Sequence, residues 1–278
     1  MALNLLGVAT LPDSWPACCR SKPGDYCVTR RKVLITGAAG EVGRLLAQRL
    51  SDEYDLVLTD RQPPLECYGC SFIPAHIDDL EAMCTACHEI DTIIHLAAET
   101  HPDAPWEKLL SPNIFGVYNV LEAARRQGCR RLIFASSINA VAGYPGDVQV
   151  HTSQPVRPYN LYGATKAWGE AVGCFYAEQR GISVLCLRIG WVRQRNSPDL
   201  YPGHPYLSFV LTYDDLLRLV RAAIEAPAAL RFGIFHAISD NRWKRLDISD
   251  TRTMLGYEPQ DDAFELAEEH ARSGQGAG

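Results

Sequence analysis

No stretch of this 278-residue chain is apolar for long enough to cross a bilayer as a helix. The N-terminus lacks a basic start followed by a long apolar core, so a secretory leader is not expected. Basic charge is not in excess either. Twenty-seven Lys and Arg stand against 33 Asp and Glu, a net charge of -6, which argues against a nucleic-acid partner. No internal repeat stands out. These absences lead to the expectation of a cytoplasmic protein with neither membrane nor nucleic acid as a partner. In that setting the ten cysteines are expected as reduced thiols. What remains is ordinary globular material, 47% hydrophobic and 22% charged, enough for one large α/β domain or two modest ones.

Residues 1–30 form a compositional block of their own, with Pro12, Pro16, Pro23, Gly24 and three cysteines but no clear periodicity. They read as a poorly ordered N-terminal extension. From Arg31 short β-rich runs alternate with helical stretches. Strands are expected at residues 32–36, 55–59, 71–75, 92–96, 131–135 and 182–188. Helices are expected at 41–50, 79–90, 112–128 and 159–180. That alternation implies a parallel sheet covered on both faces. Beyond Gly190 the pattern loosens. Residues 191–205 read as a loop, 213–226 as a helix, 232–238 as a strand, 250–255 as a short helix, and the closing SGQGAG as floppy.

Gly37-Ala38-Ala39-Gly40-Glu41-Val42-Gly43 follows the first strand and opens the first helix. Gly37 permits the tight turn, Gly40 lets backbone approach a pyrophosphate, and Gly43 lets helix and strand pack closely. Free N–H groups at the helix start then face phosphates. Asp60 ends the second strand, where a carboxylate binds both ribose hydroxyls and repels a 2′-phosphate, favouring NAD over NADP. Arg61 beside it pulls the other way. The fold class is therefore α/β, a Rossmann-type doubly wound parallel sheet with a small C-terminal substrate-binding lobe. Residues 31–190 are read as the NAD-binding domain and 191–278 as the lobe, interleaved with the core.

Tyr162 and Lys166 lie four residues apart, about one helical turn, so both project from one face. A nearby cation stabilises phenolate, which makes Tyr162 a candidate acid/base. Ser136-Ser137 follow the fifth strand, and either can bond a reacting oxygen or merely cap the strand end.

Together these residues resemble the extended short-chain dehydrogenase/reductase (NAD-dependent epimerase/dehydratase) family over roughly residues 31–257. The likeness rests on the GxxGxxG turn, the HLAA run at 95–98, Asn113, Ser136-Ser137 and Tyr162-x3-Lys166. Within the family the chain is most similar to uronate dehydrogenases and related sugar dehydrogenases, through Ala104-Pro105-Trp106 and the runs at 113–123, 134–137, 185–190 and 255–260. The resemblance implies Tyr162 as proton acceptor, Lys166 on the nicotinamide ribose, Ser137 on the reacting oxygen, and Asn113 behind the lysine organising a water. It implies cofactor contacts from Gly37, Ala39, Gly40, Glu41, Val42, Gly43, Asp60, Arg61, His76, Ile77, Leu96, Ala97 and Ala98.

There are departures from the family pattern. His76 stands where an adenine-contacting Asp is common. Ile138-Asn139 replace the Asn-His of uronate dehydrogenases, and Trp191 replaces a serine. Their substrate-clamping arginine has no secure match, although Arg193 and Arg195 are near. The short lobe favours a small unactivated sugar or sugar acid over a nucleotide sugar. Ser137, Asn139, His101, Trp106, Trp191 and Arg195 are its candidate contacts.

The expected function is an NAD-dependent oxidoreductase of carbohydrate metabolism, acting on a sugar or sugar-acid hydroxyl. A nucleotide-sugar epimerase/dehydratase and a non-catalytic NAD-binding regulator are the alternatives. Cys67-x2-Cys70 and Cys84-x2-Cys87 raise the question of zinc. Helical spacing of Leu80, Met83, Cys87 and Ile90 answers it with core packing, so no metal is expected. A homo-oligomer is expected from the family habit of pairing the helices at 112–128 and 159–180.

Overall fold

The computed structural model describes residues 30–275, so the extension read over residues 1–30 lies outside the described residues apart from Arg30. Seven strands form one all-parallel sheet: β1 (Lys32–Thr36), β2 (Asp55–Asp60), β3 (Ser71–Pro74), β4 (Thr92–His95), β5 (Arg131–Ser137), β6 (Ser183–Ile189) and β9 (Phe232–Ala237). Their order is β3-β2-β1-β4-β5-β6-β9. The order reverses between β1 and β4, and a doubly wound sheet opens a crevice at that switch, beyond the carboxyl ends of its strands.

The strands are apolar runs because both faces are covered. In β1, Val33 and Ile35 face one core, with α1 (Glu41–Leu50) and α6 (Tyr213–Glu225). Leu34 faces the other, with α2 (Leu80–Ala86), α4 (Gly116–Gln127) and α5 (Leu161–Arg180). Each fully buried Leu or Ile there contributes roughly 1.5–3 kcal/mol. The helix ends follow their local chemistry. Asp79 caps α2 and Asn160 caps α5 through side-chain oxygens. Gly128 and Gly181 end α4 and α5 in the left-handed region, at φ 72° and 83°.

Three expectations are corrected. The helix expected at 112–128 starts earlier, as a four-residue turn α3 (Trp106–Leu109) followed by a π-helical stretch, Leu110–Phe115, and then α4. Pro112 has no N–H to give to Lys108, and a π-bulge is one way a helix passes such a residue. Trp191–Arg193, expected in a loop, is a three-residue strand β7 paired in parallel with β8 (Val210–Thr212). After α7 (Ser249–Leu255), the segment leading into the closing residues is helical: α8 (Ala263–Gln275) includes Ser273, expected to be floppy. It is held by Ala263, Leu266 and Ala267, which pack on Leu200, Leu207 and Val210. The last three glycine and alanine positions, 276–278, lie outside the described residues.

Candidate active site

A cleft of about 960 Å³ opens at the switch point. One wall is the glycine turn. A Cβ on Gly37 would lie 2.7 Å from the Ala97 nitrogen, and one on Gly43 would lie 2.3 Å from the Gly37 oxygen. Backbone therefore packs on backbone at both places, and no larger residue fits without moving the turn. Gly40 is the N-cap of α1 and has no side chain to cap it. The first N–H groups of that helix are thus left to whatever lies in the cleft. Asp60 braces the turn: its Oδ2 accepts from Ala39 N (3.0 Å) and its Oδ1 from Arg61 N (2.7 Å). Each oxygen keeps a second lone pair for a ribose hydroxyl.

Past Asp60 the wall runs through Ala75, His76, Ile77 and Asp78. His76 is exposed, with Nδ1 3.4 Å from Asp78 Oδ1. Ile77 is held from behind, its carbonyl accepting from Asn119 Nδ2 (3.0 Å) and its side chain lying where a Cβ on Gly116 would go. The floor is Leu96, Ala97 and Ala98, just after β4. Thr36 sits under it, accepting from Ala97 N (3.3 Å) and pairing with His95 Nδ1 (2.8 Å). Burial drives the His95 imidazole down to about 3, aided by the nearby Lys166 charge, so it is neutral at physiological pH.

Ser137, Tyr162 and Lys166 meet at the far end of the cleft. Lys166 Nζ lies 5.6 Å from the centre of the Tyr162 ring and 5.0 Å from that of Phe134. Burial pulls the ammonium down to about 7. The phenol moves opposite to the sequence-based expectation. Burial raises it to about 12, and the hydrogen bond from Ser137 is the influence that lowers it. Removing a phenolate from water costs more than the Ser137 hydrogen bond returns. Ser136 is occupied elsewhere. Its hydroxyl donates to Glu170 Oε1 (2.6 Å), and Glu170 forms a buried bidentate pair with Arg188, 2.8 Å on each arm. That leaves Ser137 as the serine bonded to Tyr162.

Asn113 stands behind this group. Its Oδ1 accepts from Glu99 N (2.8 Å), and its Nδ2 donates to Glu99 O (3.0 Å) and Thr165 Oγ1 (3.0 Å). It thereby pins the strand-end loop to α5. Five residues expected to touch substrate are not on the cleft wall among the described residues: His101, Trp106, Asn139, Trp191 and Arg195. His101 Nδ1 accepts from Asp103 N (3.2 Å). Trp191 is sandwiched, with the Arg193 guanidinium 4.0 Å from its ring centre and the His204 ring stacked at 4.5 Å. Arg195 pairs with Asp261 at 3.6 Å. Asn139 bonds to Ser137.

The cleft also has residues that the sequence did not single out, notably Glu99, Thr100, Lys108, Ser111, Ile189 and Gly190. Glu99 and Thr100 directly follow the HLAA run and were within reach of that signal. Lys108 sits on the helical turn that Pro105 and Trp106 open upstream of Pro112, just beyond the Ala104-Pro105-Trp106 run. The four cysteines of the zinc question divide between two cores. Cys67 and Cys70 pack with Val33, and Cys84 and Cys87 pack with Leu34 on the opposite face of the sheet. Among the described residues, no group of three or more His, Cys, Asp or Glu is placed to hold a metal.

A doubly wound parallel sheet with a glycine turn at its switch point, and a serine, tyrosine and lysine grouped beside it, defines a dinucleotide-dependent oxidoreductase fold of the short-chain type. Residues 33–194 match the NAD dependent epimerase/dehydratase family, and the chain belongs to that family. An NAD-dependent glucose-6-phosphate dehydrogenase of Haloferax volcanii is 35% identical over 253 residues, 84% of this chain and 95% of the relative. A uronate dehydrogenase of Pseudomonas putida is 34% identical over 236 residues, 83% of this chain and 84% of its own. A crystal structure of a mutant uronate dehydrogenase from Agrobacterium tumefaciens complexed with NAD superposes with a TM-score of 0.77. It is 30% identical, covering 87% of this chain and 89% of that one.

Proposed function

We propose that this chain is an NAD-dependent dehydrogenase that oxidises a hydroxyl of a small sugar or sugar acid. The observation that carries the reading is the Tyr162 phenol, bonded to Ser137 and one helical turn from Lys166, at the end of a cleft that begins at a glycine turn. The residues present fit NAD. Gly37 and Gly43 leave room only for backbone, the α1 N-terminus offers uncapped N–H groups, and Asp60 offers acceptors for ribose hydroxyls. Residues 31–190 form the cofactor-binding part and 191–278 contribute the substrate side. Glucose-6-phosphate, arabinose and uronate dehydrogenases among the relatives mark out the substrate class.

Bound in the cleft, NAD supplies the hydride acceptor. The protein's own groups manage the proton. Tyr162 Oη takes the proton of the substrate hydroxyl as general base. Ser137 Oγ has one proton, which it gives to Tyr162 Oη in the free enzyme and to the substrate oxygen once substrate is bound. Lys166 holds the ribose end, and its positive charge favours phenolate when protonated. Asn113 keeps the loop that ends at Glu99 against α5, so the floor and the base stay in register. Because the phenol is raised to about 12, the rate of alcohol oxidation rises with pH across the neutral and alkaline range.

The chain works in the cytoplasm as a homo-oligomer, pairing through the exposed aromatic faces of the π-helical stretch, α4 and α5. Phe115, Tyr118 and Phe175 carry those faces, each about half exposed. No helix among the described residues is long and apolar enough to cross a membrane. The test is a screen of hexuronates, aldoses and hexose 6-phosphates with NAD and NADP in parallel, read at 340 nm. Reduced cofactor should accumulate with NAD and at least one of these. Normal NAD binding without net reduction on any of them sinks the dehydrogenase reading, and conversion of a nucleotide sugar under those conditions would replace it with the epimerase alternative.

A further inference from the structure

β5 ends at Ser137, and the chain turns at once through a single 3-10 turn, Ile138–Ala140. Inside that turn Ser137 Oγ accepts twice, from Asn139 N (3.2 Å) and from Asn139 Nδ2 (3.3 Å). A serine hydroxyl has two lone pairs and one proton. With both lone pairs engaged, only the proton is left to point at Tyr162.

The direction of this arrangement is set further away. Amide nitrogen and oxygen are told apart by their bonding partners. The N–H of Gly163, in the first turn of α5, can only donate, and it donates to Asn160 Oδ1 (2.7 Å). That turns Asn160 Nδ2 toward Asn139 Oδ1 (3.5 Å). An oxygen held there leaves Asn139 Nδ2 facing Ser137. Asn139 is itself locked in place. Its carbonyl accepts from Tyr159 N (3.1 Å), and a Cβ on Gly163 would lie 2.2 Å from that oxygen. The helix that carries Tyr162 and Lys166 thus orders, through two amides, the hydroxyl that faces Tyr162.

We propose that Asn139 is a positioning residue that fixes Ser137 as a proton donor toward Tyr162 and the reacting oxygen, and that it does not contact substrate. This rests on the dehydrogenase reading above. Asn139→Asp is the sharpest probe, because a carboxylate at the same place accepts the Ser137 proton and reverses the polarity of the bond. It should lower kcat roughly 10²-fold, comparable to losing one donor to a developing oxyanion. KM for the sugar and Kd for NAD should stay within about twofold, and the rise of kcat with pH should move to higher pH. Asn139→Ala, which keeps the backbone N–H, should cost about tenfold in kcat on the same scale. Both effects should vanish in a Ser137→Ala background, since a residue acting only through Ser137 has nothing left to position.

Losses that persist unchanged in the Ser137→Ala background overturn the proposal, as does a rise in sugar KM with kcat intact. If Asn139→Asp does not fold, judged by NAD binding, the Asn139→Ala pair decides alone. The underlying reading fails separately, through undiminished turnover by Tyr162→Phe, whatever the Asn139 variants do.

Discussion

The glycine-turn half of the cleft and the segment beyond Gly190 are built on different terms. In the first, backbone does the work. Gly37 lies on the Ala97 nitrogen, Gly43 lies on the Gly37 carbonyl, and Asp60 accepts from the Ala39 N–H of the turn and from its own neighbour Arg61. In the second, side chains satisfy one another. Arg193 stacks on Trp191 and pairs with Asp199, Arg195 pairs with Asp261, and Arg242 pairs with Asp262 and Glu268. Backbone geometry of the first kind follows from local sequence, because a strand, a turn and a helix in succession can close in only a few ways. In the second kind the Arg193 contacts are local, but Arg195–Asp261 and Arg242–Asp262 join residues brought together by the fold, and no short window contains them.

If the comparison is right, the largest effect belongs to Tyr162, the proposed base, aimed from the regular half. Tyr162→Phe should lower kcat by at least ~10²-fold while leaving NAD affinity unchanged. Steady-state rates together with cofactor titration check this, and near-normal turnover would remove the assigned chemistry.

Next in size is the burial of Lys166. Its folded-state value of about 7 lies below its ordinary 10.5. The unfolded chain therefore holds more protons between those two values, and stability rises with pH across that window. The penalty is fully present below about pH 7 and gone above about 10.5, on the order of a few kcal/mol. Lys166→Met should thus melt higher than the parent at pH 6.5, with the gap closing by pH 10, while activity is lost. A gap independent of pH would mean that the ammonium is solvated, contrary to its placement.

Gly43→Val comes third. The added side chain meets the Gly37 carbonyl and Ala38 backbone, neither of which can yield without moving the turn. Overpacking of this kind costs about 1–3 kcal/mol. NAD affinity should fall at least about tenfold, because the displaced backbone is the one proposed to cradle the phosphates. Calorimetric titration with NAD measures it.

The same contrast explains what could be read from residues alone. The strands were legible because burial on both faces forces apolar runs such as KVLIT, and the glycine turn because it sits between a strand and a helix. Tyr162 and Lys166 were legible as a helical pair, but the sign of the tyrosine shift was not. That sign depends on how deeply the pair is buried, which spacing does not encode. The π-helical stretch was missed because Pro112 reads as a helix start, although helical turns precede it. β7 has three residues, too few to show alternation. The bonds that tie Asn139 to Ser137 and Asn160 were not legible, because Asn160 is 21 positions away. Cys84 and Cys87 were separable from Cys67 and Cys70 only once alternate faces of the sheet were known.

The smallest effect tests the lobe itself. Arg195 is more than half exposed, and its partner Asp261 is buried but also accepts from Thr212 Oγ1 at 2.5 Å. Arg195→Ala therefore leaves Asp261 hydrogen-bonded, and an exposed arm of an ion pair is worth up to about 1 kcal/mol. Melting should shift by a few degrees at most, and sugar KM should stay within about twofold on neutral and acidic sugars alike. A tenfold rise in KM confined to acidic sugars would show the guanidinium leaving Asp261 to bind the substrate carboxylate. The lobe would then be a charge-reading element that rearranges on binding, and the division between a backbone-built half and a self-satisfied half would break at this residue.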